Sequence, residues 1–334
     1  MRAWQISSFG IDSLEFVERP MPSPGPGEVL IKVCAISFNY RDLLMVKGLY
    51  NPKLKLPRIP CSDGAGKVAA VGEGVTAWKP GDRVAGIFIQ NWQDGVLTAA
   101  KAKGALGGDI DGMLAEYVVL NENGLVAIPE HLSFEEAATL PCAAVTAWNA
   151  LAAGDLQPGG TVLIQGTGGV AIFALQFARF RGARVLGISG SDEKLERAYS
   201  LGLDGGLNYR ENPDWDRWAM EETNGEGVDL VVEVGGVATL PRSLRALRIG
   251  GTVAQVGLLS GSAEPVPIPS ILHKMARIHG IYVGSRKDFQ EMNKAITLGV
   301  LRPVGENFHW AQAREALGRL EEATHFGKLV LTVS

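Results

Sequence analysis

The sequence predicts an α/β fold in which a doubly wound parallel sheet is joined to a strand-rich, partly closed β-barrel. Three observations carry this. Thr161–Lys194 reads as strand, glycine turn, helix, strand; from Thr161 onward strands and helices alternate, as a doubly wound sheet demands; and the earlier part holds short strands broken by frequent Gly and Pro turns.

At 334 residues the chain is long enough for two domains of ordinary size. Hydrophobic residues make up 46% and charged residues 20%, which describes a soluble globular protein, and a net charge of -4 gives no reason to expect nucleic acid or an anionic membrane as partner. No apolar signal core opens the sequence, and no apolar run approaches the ~18 residues of a membrane span. Cys34, Cys61 and Cys142 are few, odd in number and unevenly spaced, which argues against a disulfide framework. A cytoplasmic location is expected.

Taken in order, Arg2–Phe9 and Leu14–Arg19 read as strands, and a Pro-punctuated connection leads into a strand Val29–Ile36. Lys67–Val71, Arg83–Phe88 and Ala115–Leu120 follow as strands, whereas the polar, weakly patterned Gln90–Asp109 reads as a surface lobe or lid. A boundary comes after Ile128-Pro129, where Ser133 and Glu136 form a capping box for a helix predicted to run to about Ala153. Strand Thr161–Gln165 leads through its turn to helix Val170–Phe180, stopped by Gly182. Strand Arg184–Ser189 and helix Glu193–Leu201 come next. Further strands are expected at Gly206–Tyr209, Val228–Val234, Thr252–Gly257 and Ile278–Val283, with helices near Asp214–Thr223, Leu240–Leu247 and Ile271–Ala276. Helices near Asp288–Leu298 and Trp310–Ala323 and a strand Lys328–Val333 close the sequence.

The turn Gly166-Thr167-Gly168-Gly169-Val170-Ala171 fits G-x-G-x-x-G/A in its required setting, strand before and helix after. The first Gly allows the sharp turn, the second lets backbone approach a pyrophosphate, and the third small residue lets helix and strand pack closely. This predicts a dinucleotide site. Folds that read a free ribose 2′-hydroxyl place Asp or Glu at the end of the second strand, but here that end is Ser189-Gly190-Ser191. Ser189 and Ser191 can donate hydroxyls, Lys194 supplies a charge, and Tyr209 follows the third strand with Arg210 beside it. NADP(H) is therefore the expected cofactor, although Ser191 or Asp192 also suits a helix cap, a role compatible with phosphate binding. Gly235 after the fourth strand, and Gly257 and Leu258 after the fifth, should face the cofactor at the carboxyl edge of the sheet.

These pieces resemble the medium-chain dehydrogenase/reductase superfamily. The resemblance covers essentially the whole chain, through P-G-P-G-E-V-L-I-K-V (24–33), D-G-A-G-K-V-A-A-V-G-E-G-V (63–75), P-G-D-R-V (80–84), D-G-M-L-A-E-Y (111–117), the cofactor turn, and F-G-K-L-V-L (326–331). It implies a GroES-like catalytic domain of partly closed β-barrel form, residues 1–127 with 286–334, and an inserted Rossmann NADP-binding domain, residues 128–285. The active-site cleft lies at the junction in such proteins, and a homodimer through the sheet edge near Ile278–Val283 is implied. In NADP-using quinone oxidoreductases of this superfamily a Lys and a Tyr fifteen residues apart hold the 2′-phosphate, and Lys194 and Tyr209 stand at that spacing. Lys328 falls where zinc-dependent members carry a basic residue near the pyrophosphate.

A catalytic zinc needs three soft or imidazole ligands and an open position. Where zinc members supply Cys, His and Cys, this chain has Asn39 (in Asn39-Tyr40-Arg41-Asp42), Ser62 (in Cys61-Ser62-Asp63) and Cys142. Asn and Ser are poor zinc ligands, and Gln90–Asp109 lacks the cysteines of the structural zinc lobe, so no metal is expected. A rearranged Cys61/Cys142 site is the less favoured alternative; Cys142 reads as a small buried apolar residue. Without a Lewis acid, alcohol oxidation is hard, while a quinone or an α,β-unsaturated carbonyl carries its own electron-withdrawing oxygen. The expected reaction is hydride transfer from NADPH to such a small molecule, the activity of the zinc-independent quinone oxidoreductase-like branch. Asn39, at the ligand position, is a candidate to hydrogen-bond the substrate carbonyl or nicotinamide ribose. Tyr50 matches a pocket Tyr of quinone oxidoreductases, though Leu44 replaces their further Tyr, and Thr146 matches a residue facing the nicotinamide. The alternatives are an alcohol dehydrogenase or ketone reductase, a non-catalytic NADPH-binding protein, and an enoyl-thioester reductase.

Overall fold

The computed structural model describes residues 1–261 and 266–333, which divide into two compact units, Met1–Val145 with Val283–Ser334 and Thr146–Tyr282.

In the first unit the long strand Glu28–Phe38 is the organiser. Along one edge it pairs antiparallel with Asp63–Val71. Along the other edge its first half pairs with Tyr117–Asn121 and its second half with Lys328–Thr332. The seven-stranded sheet is completed by Gly305–His309, which runs parallel to Lys328–Thr332, and by Arg83–Gly86 and Leu125–Ala127 beyond Asp63–Val71. A separate ribbon, Arg2–Ile6 with Leu14–Glu18, adds Ile6 and Leu14 to a core that includes Ile31, Ile36, Phe38, Leu106 and Trp310. Trp310 itself is anchored where the Trp4 indole N–H donates to its carbonyl at 3.1 Å.

Three differences from the sequence expectations stand out in this unit. The predicted helix from Ser133 to Ala153 is interrupted: Phe134–Ala138 is α-helical, Leu140–Ala144 is a wider π turn, and α-helix resumes at Val145–Ala153. Pro141 has no N–H to continue an α-helical ladder, so the backbone re-forms its bonds at a different spacing. Gln90–Asp109 is not wholly a surface lobe, because Trp92 and Ala105 pack with Phe88, Ile89 and Val283, and Leu106 enters the main core. The helix Tyr40–Val46 and the strand Gly305–His309 were unforeseen.

The second unit is a six-stranded, all-parallel sheet in the order Gly205–Asn208, Arg184–Ser189, Thr161–Gln165, Val228–Glu233, Leu247–Gln255, Arg277–Gly280. The chain runs outward from Thr161–Gln165 in one direction, then returns and runs outward in the other. This places a switch point between Thr161–Gln165 and Val228–Glu233, where such sheets bind ligands at their carboxyl ends. Leu163, Leu186, Val231 and Val253 are fully buried at the centre, as strands covered on both faces require. The outermost strand Arg277–Gly280 is exposed throughout.

Candidate functional site

The glycine turn has the expected form. Gly166 takes φ +71°, a left-handed conformation that disfavours a side chain even though nothing lies within 4 Å of where its Cβ would be. Its N–H donates to the Ile188 carbonyl at 2.7 Å, tying the turn to the neighbouring strand. Thr167 is buried, Gly168 caps the helix Gly169–Phe180, and no side chain covers the cap, so the N–H groups of Gly169, Val170 and their neighbours remain for a phosphate. Ala171, the third small residue, is buried beneath them.

The next corner gathers the residues expected at the adenosine ribose. Ser189 is paired in register with Asn208, so Tyr209 follows directly, and its N–H donates to the Ser189 carbonyl at 3.0 Å. A Cβ on Gly190 would lie 2.8 Å from Tyr209 Oη and 2.9 Å from Arg210 Nε, so the missing side chain is what lets both groups close in. Ser191 caps the helix Asp192–Ser200 by accepting the Lys194 N–H at 3.3 Å, and the Asp192 carboxylate accepts from the Asn208 amide at 3.1 Å. Ser189, Gly190, Ser191 and Tyr209 thus share one corner, with Lys194 in the first turn of the helix that Ser191 caps.

At the end of the fourth strand the structure shows a knot that the sequence did not reveal. Glu233 is fully buried, with no cation among its partners. Its Oε1 accepts from the N–H groups of Gly235 (2.7 Å) and Gly236 (2.9 Å) and from the Thr239 hydroxyl (2.6 Å); its Oε2 accepts from Gln165 Nε2 (2.7 Å) and the Ser243 hydroxyl. Gln165 Oε1 in turn accepts from the N–H groups of Val234 and Gly235. The knot fixes the loop that opens with Gly235, where a Cβ would strike Thr239 Oγ1 at 2.3 Å. It also backs Gly257, where a Cβ would lie 2.0 Å from the Val234 carbonyl oxygen. Leu258 follows, 60% exposed. The one local signal was an acid ending an apolar strand just before a Gly pair. Thr146 is buried in the first turn of the helix Val145–Ala153.

In the first unit, the three positions corresponding to metal ligands converge, but on a hydrogen-bonded network. Asn39 is 8% exposed; its Nδ2 donates to Ser62 Oγ at 3.4 Å. Ser62 Oγ donates to Asp63 Oδ1 at 2.7 Å, and Asp63 Oδ2 accepts the Cys142 N–H at 3.0 Å. Asp42 closes the network, accepting the backbone N–H groups of Asn39 (2.8 Å) and Ser62 (3.2 Å). The ammonium of Lys328 donates to the Phe38 carbonyl and to Asn39 Oδ1. Burial lifts Asp42 to about 6, opposed by Arg41, and lifts Asp63, opposed by Lys328. Burial, reinforced by Asp63, also pushes the Cys142 thiol well up, away from the thiolate that binds metal. An amide, a hydroxyl and a single cysteine do not supply the three soft or imidazole ligands of a zinc site. Among the described residues no three His, Cys, Asp or Glu side chains are grouped to hold a metal ion. Tyr50 lies 43% exposed beyond the helix Tyr40–Val46, its ring over the Arg41 guanidinium, which also faces Phe88.

A parallel sheet with an open glycine turn at its switch point, in the same chain as a GroES-like sheet, defines a nicotinamide-dependent oxidoreductase of modular build. Residues 25–130 match the alcohol dehydrogenase GroES-like domain, and residues 169–297 match the zinc-binding dehydrogenase family. A zinc-type alcohol dehydrogenase-like protein of Schizosaccharomyces pombe is 44% identical, over 97% of this chain and 96% of that protein. Acryloyl-coenzyme A reductase of Metallosphaera sedula is 30% identical, over 93% of this chain and 94% of its own length. The crystal structure of an NAD-dependent alcohol dehydrogenase superposes with a TM-score of 0.91 at 35% identity, covering 100% of both chains. The chain belongs to the medium-chain dehydrogenase/reductase superfamily, and as such is an oxidoreductase using NAD or NADP.

Proposed function

We propose that this protein is a zinc-independent, NADPH-dependent reductase of quinones or α,β-unsaturated carbonyl compounds. The observation that carries the reading is the network of Asn39, Ser62, Asp63 and Cys142 at the ligand positions, which offers hydrogen-bond donors to an oxygen but no ligand set to a metal. When bound, NADPH supplies the hydride. The chain's own part is to hold the dinucleotide at the turn Gly166–Val170 and at the loops of Gly235, Gly257 and Leu258. Ser189, Ser191, Lys194 and Tyr209 receive the 2′-phosphate, and Thr146 packs against the nicotinamide. Asn39 donates to the substrate oxygen as negative charge develops there, and Tyr50 orients the substrate. The similarity to acryloyl-coenzyme A reductase, which by its name reduces a conjugated thioester, supports this acceptor class.

A second reading, alcohol oxidation with NAD, is favoured by the names of the Schizosaccharomyces pombe relative and the NAD-dependent structural neighbour. One experiment separates them: consumption of NADPH and NADH against benzoquinone, phenanthrenequinone, small enones, an enoyl thioester and simple ketones, with and without chelator, alongside metal analysis. Turnover of quinones or enones with NADPH preferred, unaffected by chelator, is expected. Turnover of ketones or alcohols alone, lost with chelator, or one zinc per chain, overturns the proposal.

The exposed strand Arg277–Gly280, with Leu272 and Met275 exposed on the segment before it, supports a homodimer through this edge. Sedimentation at monomer mass would remove that. The three unpaired cysteines support a reducing compartment such as the cytoplasm. Among the described residues no helix is long and apolar enough to cross a membrane.

A further inference from the structure

Lys328 opens the strand Lys328–Thr332 and is only 3% exposed. An ammonium at that depth is costly unless its donors are taken and its charge is answered. Both conditions are met. Nζ donates to the Phe38 carbonyl at 2.5 Å and to Asn39 Oδ1, and the buried carboxyls of Asp42 and Asp63 both feel its charge. The bond to Oδ1 decides how the Asn39 amide faces, because an ammonium can only donate. Oδ1 is therefore turned inward, and Nδ2 carries the donors. One of its N–H groups is directed to Ser62 Oγ at 3.4 Å and the amide also hydrogen-bonds the Asp63 carboxyl, so an incoming acceptor oxygen takes over one of these two contacts. A cation on the oxygen of an amide draws electron density from its nitrogen, which strengthens both N–H groups as donors.

We infer that Lys328 is a positioning residue: its ammonium locks and polarises the Asn39 amide, so that Asn39 Nδ2 donates to the carbonyl oxygen of the acceptor where zinc members would place their metal. The inference rests on the reductase reading above. In that reaction the acceptor gains a hydride at its β-carbon, from reduced nicotinamide that leaves oxidised, and then a proton from solvent. Between the two, the C=C pair has moved to the carbonyl oxygen as negative charge. A neutral amide backed by a buried cation meets that charge at the oxygen, the task a Lewis acid performs elsewhere.

The test compares Lys328→Met and Lys328→Arg with the wild type in three readouts: kcat and KM for the acceptor, Kd for NADPH by fluorescence, and the side-chain amide resonances of Asn39 in labelled protein. Lys328→Met is expected to lower kcat about a hundredfold while NADPH Kd stays within about twofold. The Asn39 amide protons should move upfield as polarisation is lost, and Lys328→Arg should recover part of both effects. If Lys328→Met does not fold, Asn39→Asp replaces it, keeping the contact to the ammonium but removing the donor, and kcat should again fall at constant NADPH Kd. A rise in NADPH Kd of about tenfold or more with kcat retained at saturation would make Lys328 a cofactor phosphate contact and overturn the inference. A folded Lys328→Met unchanged in every readout would overturn it as well. If the wild type reduces no acceptor, the reductase reading falls, while the Asn39 resonances still decide whether Lys328 holds that amide.

Discussion

Replacing Glu233 with alanine removes the acceptor on which five donors close. Thr239 Oγ1 already has a second acceptor in the Gly236 carbonyl at 3.1 Å, and the Ser243 hydroxyl can rotate. The Gly235 N–H keeps Gln165 Oε1 at 3.2 Å and Gln165 Nε2 keeps Ser243 Oγ at 2.8 Å, so among the described residues the Gly236 N–H is the donor that loses its acceptor, and a buried donor left unmet costs about 1–3 kcal/mol. The weakened bonds at Gly235 and Gln165 add to this, while the substitution returns part of the cost of burying the carboxylate, so the net loss is about 2 kcal/mol. Thermal unfolding should therefore fall by about 6 °C, taking about 3 °C per kcal/mol for a unit of this size. Glu233→Gln keeps the shape but turns an NH2 toward donors, and should lose about half as much. Calorimetry measures the stability, and NADPH titration reports the loop, whose Gly236 N–H loses its anchor, so Kd should rise in the same order. A Glu233→Ala melt within about 3 °C of wild type, or a Gln variant less stable than Ala, would refute the reasoning.

Two further outcomes are expected. Lys194→Ala should raise the Kd for NADPH about thirtyfold by loss of a charge-assisted contact, and leave NADH binding unchanged; an equal loss for both would remove Lys194 from the 2′-phosphate. Asp42 carries its proton up to about pH 6 in the folded chain but releases it near 3.8 when unfolded, so its favourable contribution is complete below about pH 4 and lost as pH rises through about 6. The loss is about 3 kcal/mol, and the melting temperature of wild type should fall more steeply over that range than that of Asp42→Asn. Parallel slopes would contradict it.

The parallel-sheet unit was legible because its signals are local. The glycine turn, the stops at Gly182 and Gly202 and the apolar strands around it all lie within a few residues of what they specify, and the strand ends differ from expectation by only a few positions. The first unit was less so. The helix Tyr40–Val46 has a readable start, with Asp42 reaching back to the Asn39 N–H, but Asn39 had been weighed as a ligand position rather than a cap. Trp92 stands well apart from the adjacent pair Ala105 and Leu106, and the three fit no period, so their burial came only with the partners they meet. The polar knots were least accessible. Lys328 and Asn39 are 289 residues apart, and Gln165 and Glu233 are 68 apart, so no window of sequence holds both members of either pair. Asn39, Ser62, Cys142 and the glycine turn were named from sequence; what each hydrogen-bonds, and the parts of Thr239 and Ser243 in the Glu233 knot, were not.

The pairing of Val330 with Ser37 has a consequence for how the protein is made. A nascent chain presents Glu28–Phe38 early, yet half of one edge of that strand has no partner until Lys328–Thr332 leaves the ribosome. Thr146–Tyr282, by contrast, has every strand of its sheet in hand once residue 280 has emerged. The second unit can therefore finish folding during synthesis, while the first waits with an open strand edge, exposed to mispairing and to chaperones, until Lys328–Thr332 has emerged. Slowing the ribosome between the codons for Phe38 and Lys328 prolongs that exposure, and slowing it before Glu28 does not.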